Sequence, residues 1–199
     1  MELKDTAYKM TVSMCGFDIN AGQNIDSNKT LKEMIDYVFT YVNEGNKGCC
    51  FHASVYLMKL LHVLGLESEI ILTVEPTKLE NGEERVDTRA SILLQDGDKY
   101  IVMNPIEDIE FFEKNGVLKS DRDNYYDENS TILKGKKEGI SSVDAGGIEL
   151  EDFIKRYGNG TSWTIGSLFR SDYDTMTFGE LMKTAKVIDI GEYGSNKTI

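Results

Sequence analysis

The stretch from Cys50 to Leu64 constrains the fold more than any other part of the chain. Val55, Leu57, Met58, Leu60, Leu61 and Leu64 make it apolar around most of its circumference. A helix of that kind needs packing on several sides, so it is predicted as the central, buried helix of the domain. Gly48 permits a tight approach before it, and Gly65 ends it. The apolar period then changes to two. Ile70, Leu72 and Val74 alternate as a strand, and Ile71 between them implies burial on both faces. Asn81-Gly82 marks a turn, and Ala90, Ile92 and Leu94 form the next strand. Asp96-Gly97-Asp98 reads as a hairpin into Tyr100–Met103, which Pro105 stops. A buried helix followed by hairpin-linked strands predicts the α+β class, with the Cys-bearing helix packed on an antiparallel sheet.

Upstream, Thr30-Leu31-Lys32-Glu33 matches a capping box. Leu31, Met34, Ile35, Val38, Phe39 and Val42 then follow helical spacing up to Gly45. Residues 1–27 receive no assignment. Beyond Glu107 the pattern thins. Residues 119–131 read as an exposed loop, Lys134 to Gly147 as a flap or boundary, and Glu149 to Tyr157 as a short helix. Thr177-Phe178-Gly179-Glu180 is a second capping box, ahead of a helix through about Ala185. Phe153, Tyr157, Trp163 and Phe169 are expected to fill a second small core, with packing over the cleft as the alternative. With 199 residues and only 2 prolines, a single domain over 1–199 is expected. Its core spans 30–105, and a C-terminal extension over 120–199 is placed to cover the cleft.

The formal net charge of −12 argues against nucleic acid and anionic membranes, which need clustered lysine and arginine. A protein or peptide substrate or partner remains. No run approaches the ~20 apolar residues that cross a bilayer. The first residues lack the basic and apolar regions of a signal peptide. The 3 cysteines form no even disulfide framework and read as reduced thiols, so a cytoplasmic location is expected. Cys49, Cys50 and His52 lack the Cys-x-x-Cys spacing of zinc knuckles, so no metal is expected. Gly146-Gly147 is followed by no Gly-Lys-Ser/Thr, and no cofactor is expected.

The chemistry-bearing group is the thiol at the helix start. Cys50 would have its thiolate favoured by the helix dipole and the free N–H groups there. A cysteine nucleophile also needs a base, usually histidine. The chain has 2 histidines, His52 and His62, both downstream on the same helix. His52 is turned about 200° from Cys50, and His62 lies about 18 Å along the axis. His52 is therefore expected to line the pocket with Cys49, and His62 to take no part.

Residues 48–105 resemble the core of the transglutaminase-like superfamily, which includes cysteine proteases and, more distantly, arylamine N-acetyltransferases. Gly48-Cys49-Cys50 is similar to the family's Gly-x-Cys, and Leu64-Gly65-Leu66 to its helix end, 65 − 50 = 15 residues on. Arg89-Ala90-Ser91-Ile92 resembles the family's His-Ala-x-Val strand, and Asp96 to Pro105 its Asp-Gly-x-x-Tyr-x-Val-x-Asp-Pro hairpin. The resemblance implies Cys50 as nucleophile, with Arg89 at the position of the base and Asn104 at that of the orienting aspartate (104 − 89 = 15). Asparagine serves as an orienter in papain-like enzymes. Arginine cannot replace histidine as a base, because its pKa exceeds ~12. The expected function is a cysteine-dependent acyl-transfer protein of peptidase, amidase or transamidase type with a degenerate triad. The alternative is an inactive binding module on the same fold.

Overall fold

A computed structural model of the chain describes residues 2–78, 80–96, 99–118, 131–134, 141–142, 162–184, 186–188 and 196–197. Helix α1 (Leu3–Met14) begins at Glu2 with a capping box to Asp5. A two-residue strand β1 (Gly16–Phe17) and a 3-10 helix (Ile19–Asn24) follow. Helix α2 (Leu31–Asn43) starts at the predicted box. Thr30 Oγ1 accepts from Glu33 N at 3.2 Å, and Glu33 Oε2 accepts from Thr30 N at 2.9 Å. Strand β2 (Lys47–Gly48) pairs with β1 in parallel and leads into α3 (Cys50–Val63).

Strands β3 (Ser68–Lys78), β4 (Glu84–Asp96) and β5 (Lys99–Met103) form the predicted antiparallel meander. Helix α4 (Ile106–Asn115) follows, and Gly116 closes it. Later come β6 (Thr131–Lys134), β7 (Ser141–Ser142), β8 (Ser162–Gly166), helix α5 (Phe178–Met182), β9 (Lys186–Ile188) and β10 (Asn196–Lys197). The eight-stranded sheet runs β10-β6-β5-β4-β3-β8-β9-β7, with every pairing antiparallel. Strands from the C-terminal third thus flank the meander on both sides.

Helix α3 lies between the sheet and the helices α1 and α2. Leu57, Met58 and Leu61 are at most 1 % exposed, which fits an all-round apolar helix. Ile70, Leu72, Ala90, Ile92, Leu94, Ile101 and Met103 join them from the sheet in one core. Ile71 and Leu93 are equally buried but outside that core, so the second face of β3 and β4 is covered at these positions, as Ile71 predicts. Among the described residues no helix is long and apolar enough to cross a membrane.

Three regions read differently in the structure. Residues 3–14 form a helix where none is predicted. Its buried face carries Lys4, Asp5, Ala7, Tyr8, Thr11 and Val12, too polar for a clear apolar stripe. Residues 106–115 form α4 where no element is predicted, and its Asp108 is fully buried with Tyr8 Oη donating to it at 2.8 Å. Trp163, on β8, belongs to the main core. The helix expected over 149–157 and most of the flap lie outside the described residues.

Candidate thiol site at the start of helix α3

Cys49 and His52 cap α3 reciprocally, in the positions where Ser/Thr and Glu commonly stand. Cys49 Sγ accepts from His52 N, and His52 Nδ1 accepts from Cys49 N at 3.1 Å. Nδ1 also lies 3.3 Å from Cys49 Sγ. A ring nitrogen that accepts a backbone N–H is unprotonated, so the neutral ring carries its hydrogen on Nε2. That Nε2 is buried without a hydrogen-bond partner.

The close approach has a sequence cause in Gly48. A Cβ there would fall on the His52 Cβ and within 2.7 Å of the ring Cγ. Glycine lets His52 approach β2 this closely. Tyr41 closes the other side, its ring centroid 5.1 Å from that of His52, while its hydroxyl donates to the Lys47 carbonyl at 2.9 Å. The 3-10 helix covers Cys49, which is 8 % exposed, and His52 is 0 % exposed.

Cys50 is the first residue of α3 proper and is half-buried. Its Sγ accepts from Ala90 N at 3.2 Å. Strand β5 pairs with β4 only from Ile92 onward, so Ala90 lies past the end of that ladder. The two adjacent sulfurs titrate in opposite directions. The Cys50 S–H donates to Cys49 and holds the Cys49 thiol well below the ordinary range, against burial. The same hydrogen bond, with burial, pushes the Cys50 thiol up, and Ala90 N–H and the Arg89 charge oppose it only in part. Of the two, Cys49 ionises first.

Arg89 and Ala90 are neighbours on β4, and successive side chains of a strand face opposite sides. Ala90 belongs to the core that α3 packs on, and Arg89 is exposed. The residue at the base position therefore touches the sulfur site through its charge, while its neighbour's backbone makes the contact. Asn104 follows β5. Its Oδ1 accepts from Ile106 N at 3.3 Å and its carbonyl from Tyr8 Oη at 3.3 Å, which ties it to the start of α4. His62 stacks on Phe169 at the far end of α3, with centroids 3.9 Å apart. The structure thus brings Cys49, Cys50, His52 and the Arg89–Ala90 segment together, and leaves His62 apart.

The Cys49–His52 pairing is the feature that sequence reasoning missed. Its signal is the i, i+3 spacing across a helix start, the capping-box spacing with unusual residues in it. Among the described residues no group of three or more metal-binding side chains is assembled. The chain matches no family model and no curated protein.

Proposed function

We propose that this chain has a transglutaminase-like core that binds a protein or peptide partner and does not turn over amides through Cys50. One observation carries the reading. The chain has 2 histidines, and His52, the nearer to Cys50, is locked onto Cys49 with its Nε2 sealed in the core. His62 is committed to Phe169 at the other end of the helix. A cysteine amidase needs a thiolate and an acid that protonates the leaving amine. The Cys50 thiol is pushed up, and Arg89 cannot take or give a proton near neutral pH. A sulfur at the mouth of a buried helix, beside an arginine, remains suited to gripping an acidic or carbonyl-bearing partner group.

The test is turnover of peptide anilides, and of glutaminyl peptides with an added amine, by wild type, Cys49→Ser and Cys50→Ser. We expect all three to match the buffer rate. Hydrolysis or transamidation that disappears in Cys50→Ser refutes the reading.

A second reading has its own observation. Cys49, with its thiol pulled down and His52 Nδ1 at 3.3 Å, is itself a thiol–imidazole pair. Acyl transfer through Cys49 requires the 3-10 helix to move aside, since that segment covers the sulfur. Activity lost in Cys49→Ser but kept in Cys50→Ser selects this alternative.

A further inference from the structure

Strands β3 and β4 pair along their whole length, from Ser68 opposite Leu94 to Lys78 opposite Glu84. Their neighbours are shorter. Among the described residues, β8 pairs with β3 only from Ile70 to Thr73, and β5 pairs with β4 only from Ile92 onward. Residues 74–78 and 84–91 therefore form a two-stranded ribbon with an outer backbone edge on each side.

The two edges differ. Ala90 N donates to Cys50 Sγ at 3.2 Å, so it points away from β3. Bonding direction alternates along a strand, so Glu84, Val86 and Thr88 also turn their N–H and C=O groups away from β3. Pro76 stands opposite Val86, which sets its nitrogen on the outer edge of β3. A proline there has no N–H to offer and blunts that edge. The β4 edge has no proline from Glu84 to Ala90, and it ends where Cys50 holds the Ala90 N–H. A run of one charge would blunt it as well. Instead Glu83, Arg85, Asp87 and Arg89 alternate, acidic then basic, along one face.

We infer that this edge pairs with the same edge of a second copy of the chain, antiparallel about a two-fold axis at Val86. Such a pairing is isologous, and it forms a ladder only in registers that set outward-turned residues opposite one another. Centred on Val86, Glu84 meets Thr88 of the second copy, Arg85 meets its Asp87, and Glu83 meets its Arg89. Every charged pair on that face is then of opposite sign. The neighbouring registers fail. Centring on Arg85 sets Arg85 on Arg85 and Glu83 on Asp87. Centring on Asp87 sets Asp87 on Asp87 and Arg85 on Arg89. Centring on Thr88 needs the Ala90 N–H and puts Glu84 opposite Ile92, which already pairs with Met103. Within the hairpin, Asp87 stands opposite Glu75. Arg85 of the second copy relieves that like-charged pair. The overlap is short, so the dimer exchanges with the monomer. It does not depend on the thiol chemistry.

The test is sedimentation velocity of the whole chain over a range of concentrations. We expect a reversible dimer with a Kd of about 10–500 µM, weakened by salt. Arg85→Glu and Asp87→Arg should each weaken it about tenfold or more, because each reverses the sign of two symmetry-related pairs. The double variant Arg85→Glu/Asp87→Arg should return to within about threefold of wild type, since it swaps the charges without changing the register. Val86→Pro removes an outward N–H and leaves the ladder to β3 intact, so it should abolish the dimer. Circular dichroism matching wild type separates loss of the dimer from loss of the fold. The inference is overturned if wild type stays monomeric at about 1 mM. It is also overturned if the double variant is no tighter than the single ones, or if folded Val86→Pro dimerises as wild type does.

Discussion

Replacing Gly48 with alanine tests the geometry on which the thiol site depends. The φ of Gly48 is not in the left-handed region, so alanine suffers no backbone penalty and the cost is steric. The new Cβ would fall on the His52 Cβ, and lie 2.7 Å from Cγ and 3.2 Å from Nδ1. No rotamer of His52 relieves this, because its own Cβ is the nearest atom. Either β2 or the first turn of α3 must shift. Overpacking of this kind costs about 1–3 kcal/mol. The displaced ring also loses the Cys49 N–H bond at 3.1 Å, worth about 1 kcal/mol. The sum is about 2–4 kcal/mol. At about 2–4 °C per kcal/mol for a chain of this size, the Tm falls by about 4–16 °C. Urea denaturation should show a lower midpoint with an unchanged m-value. Gly45→Ala is the control. Gly45 has φ +84° with nothing near its would-be Cβ, so its cost is conformational, about 1–2 kcal/mol. If Gly48→Ala unfolds within about 0.5 kcal/mol of wild type, the His52–Cys49 lock is not as described.

Three further outcomes are expected. Burial pushes the Cys15 thiol up to about 12 from its ordinary 9.0. The unfolded chain therefore releases that proton first, and stability falls as pH rises from about 9 toward about 12. The difference between wild type and Cys15→Ala in pH-dependent urea midpoints isolates this contribution, up to about 4 kcal/mol; parallel curves refute it. Tyr8→Phe removes the 2.8 Å hydrogen bond to buried Asp108 and should cost about 1.5–3 kcal/mol in the same assay, and an unchanged midpoint counts against it. Iodoacetamide labelling of Cys50 in the native protein should keep accelerating with pH beyond the ordinary thiol range, because Cys49 and burial hold its proton on; a rate plateau below pH 9 contradicts that.

The central half of the fold was legible because its signals are local and mutually consistent. Thr30 and Glu33 place the start of α2 by hydrogen bonds within four residues, and the apolar run of α3 admits no exposed position for that helix. The alternation in β3 to β5 is joined by turns whose chemistry is explicit in the sequence. Helix α1 was hidden because its buried face uses Asp5, Tyr8 and Thr11, which pair with neighbours rather than supply an apolar stripe. Strand β8 was hidden because its partner, β3, is some 90 residues away and nothing local encodes the pairing. At the site, helix geometry turns His52 away from Cys50. Counting from Cys50 alone then obscured that the same turn carries the ring onto Cys49. The Arg89 position rested on an ungapped reading, and a single strand step decides whether Arg89 or Ala90 faces the sulfur.

The placement of β8 beside β3 has a consequence for how the chain is made. From Met103, the end of the meander, to Gly166 the chain grows by 166 − 103 = 63 residues, which a ribosome adds in about 3–13 s. Throughout that interval one flank of the nascent meander has open backbone donors and acceptors, a template for pairing with another chain. Expression at lower temperature, or with a holding chaperone, should therefore raise the soluble yield of this protein more than that of domains whose sheets close locally.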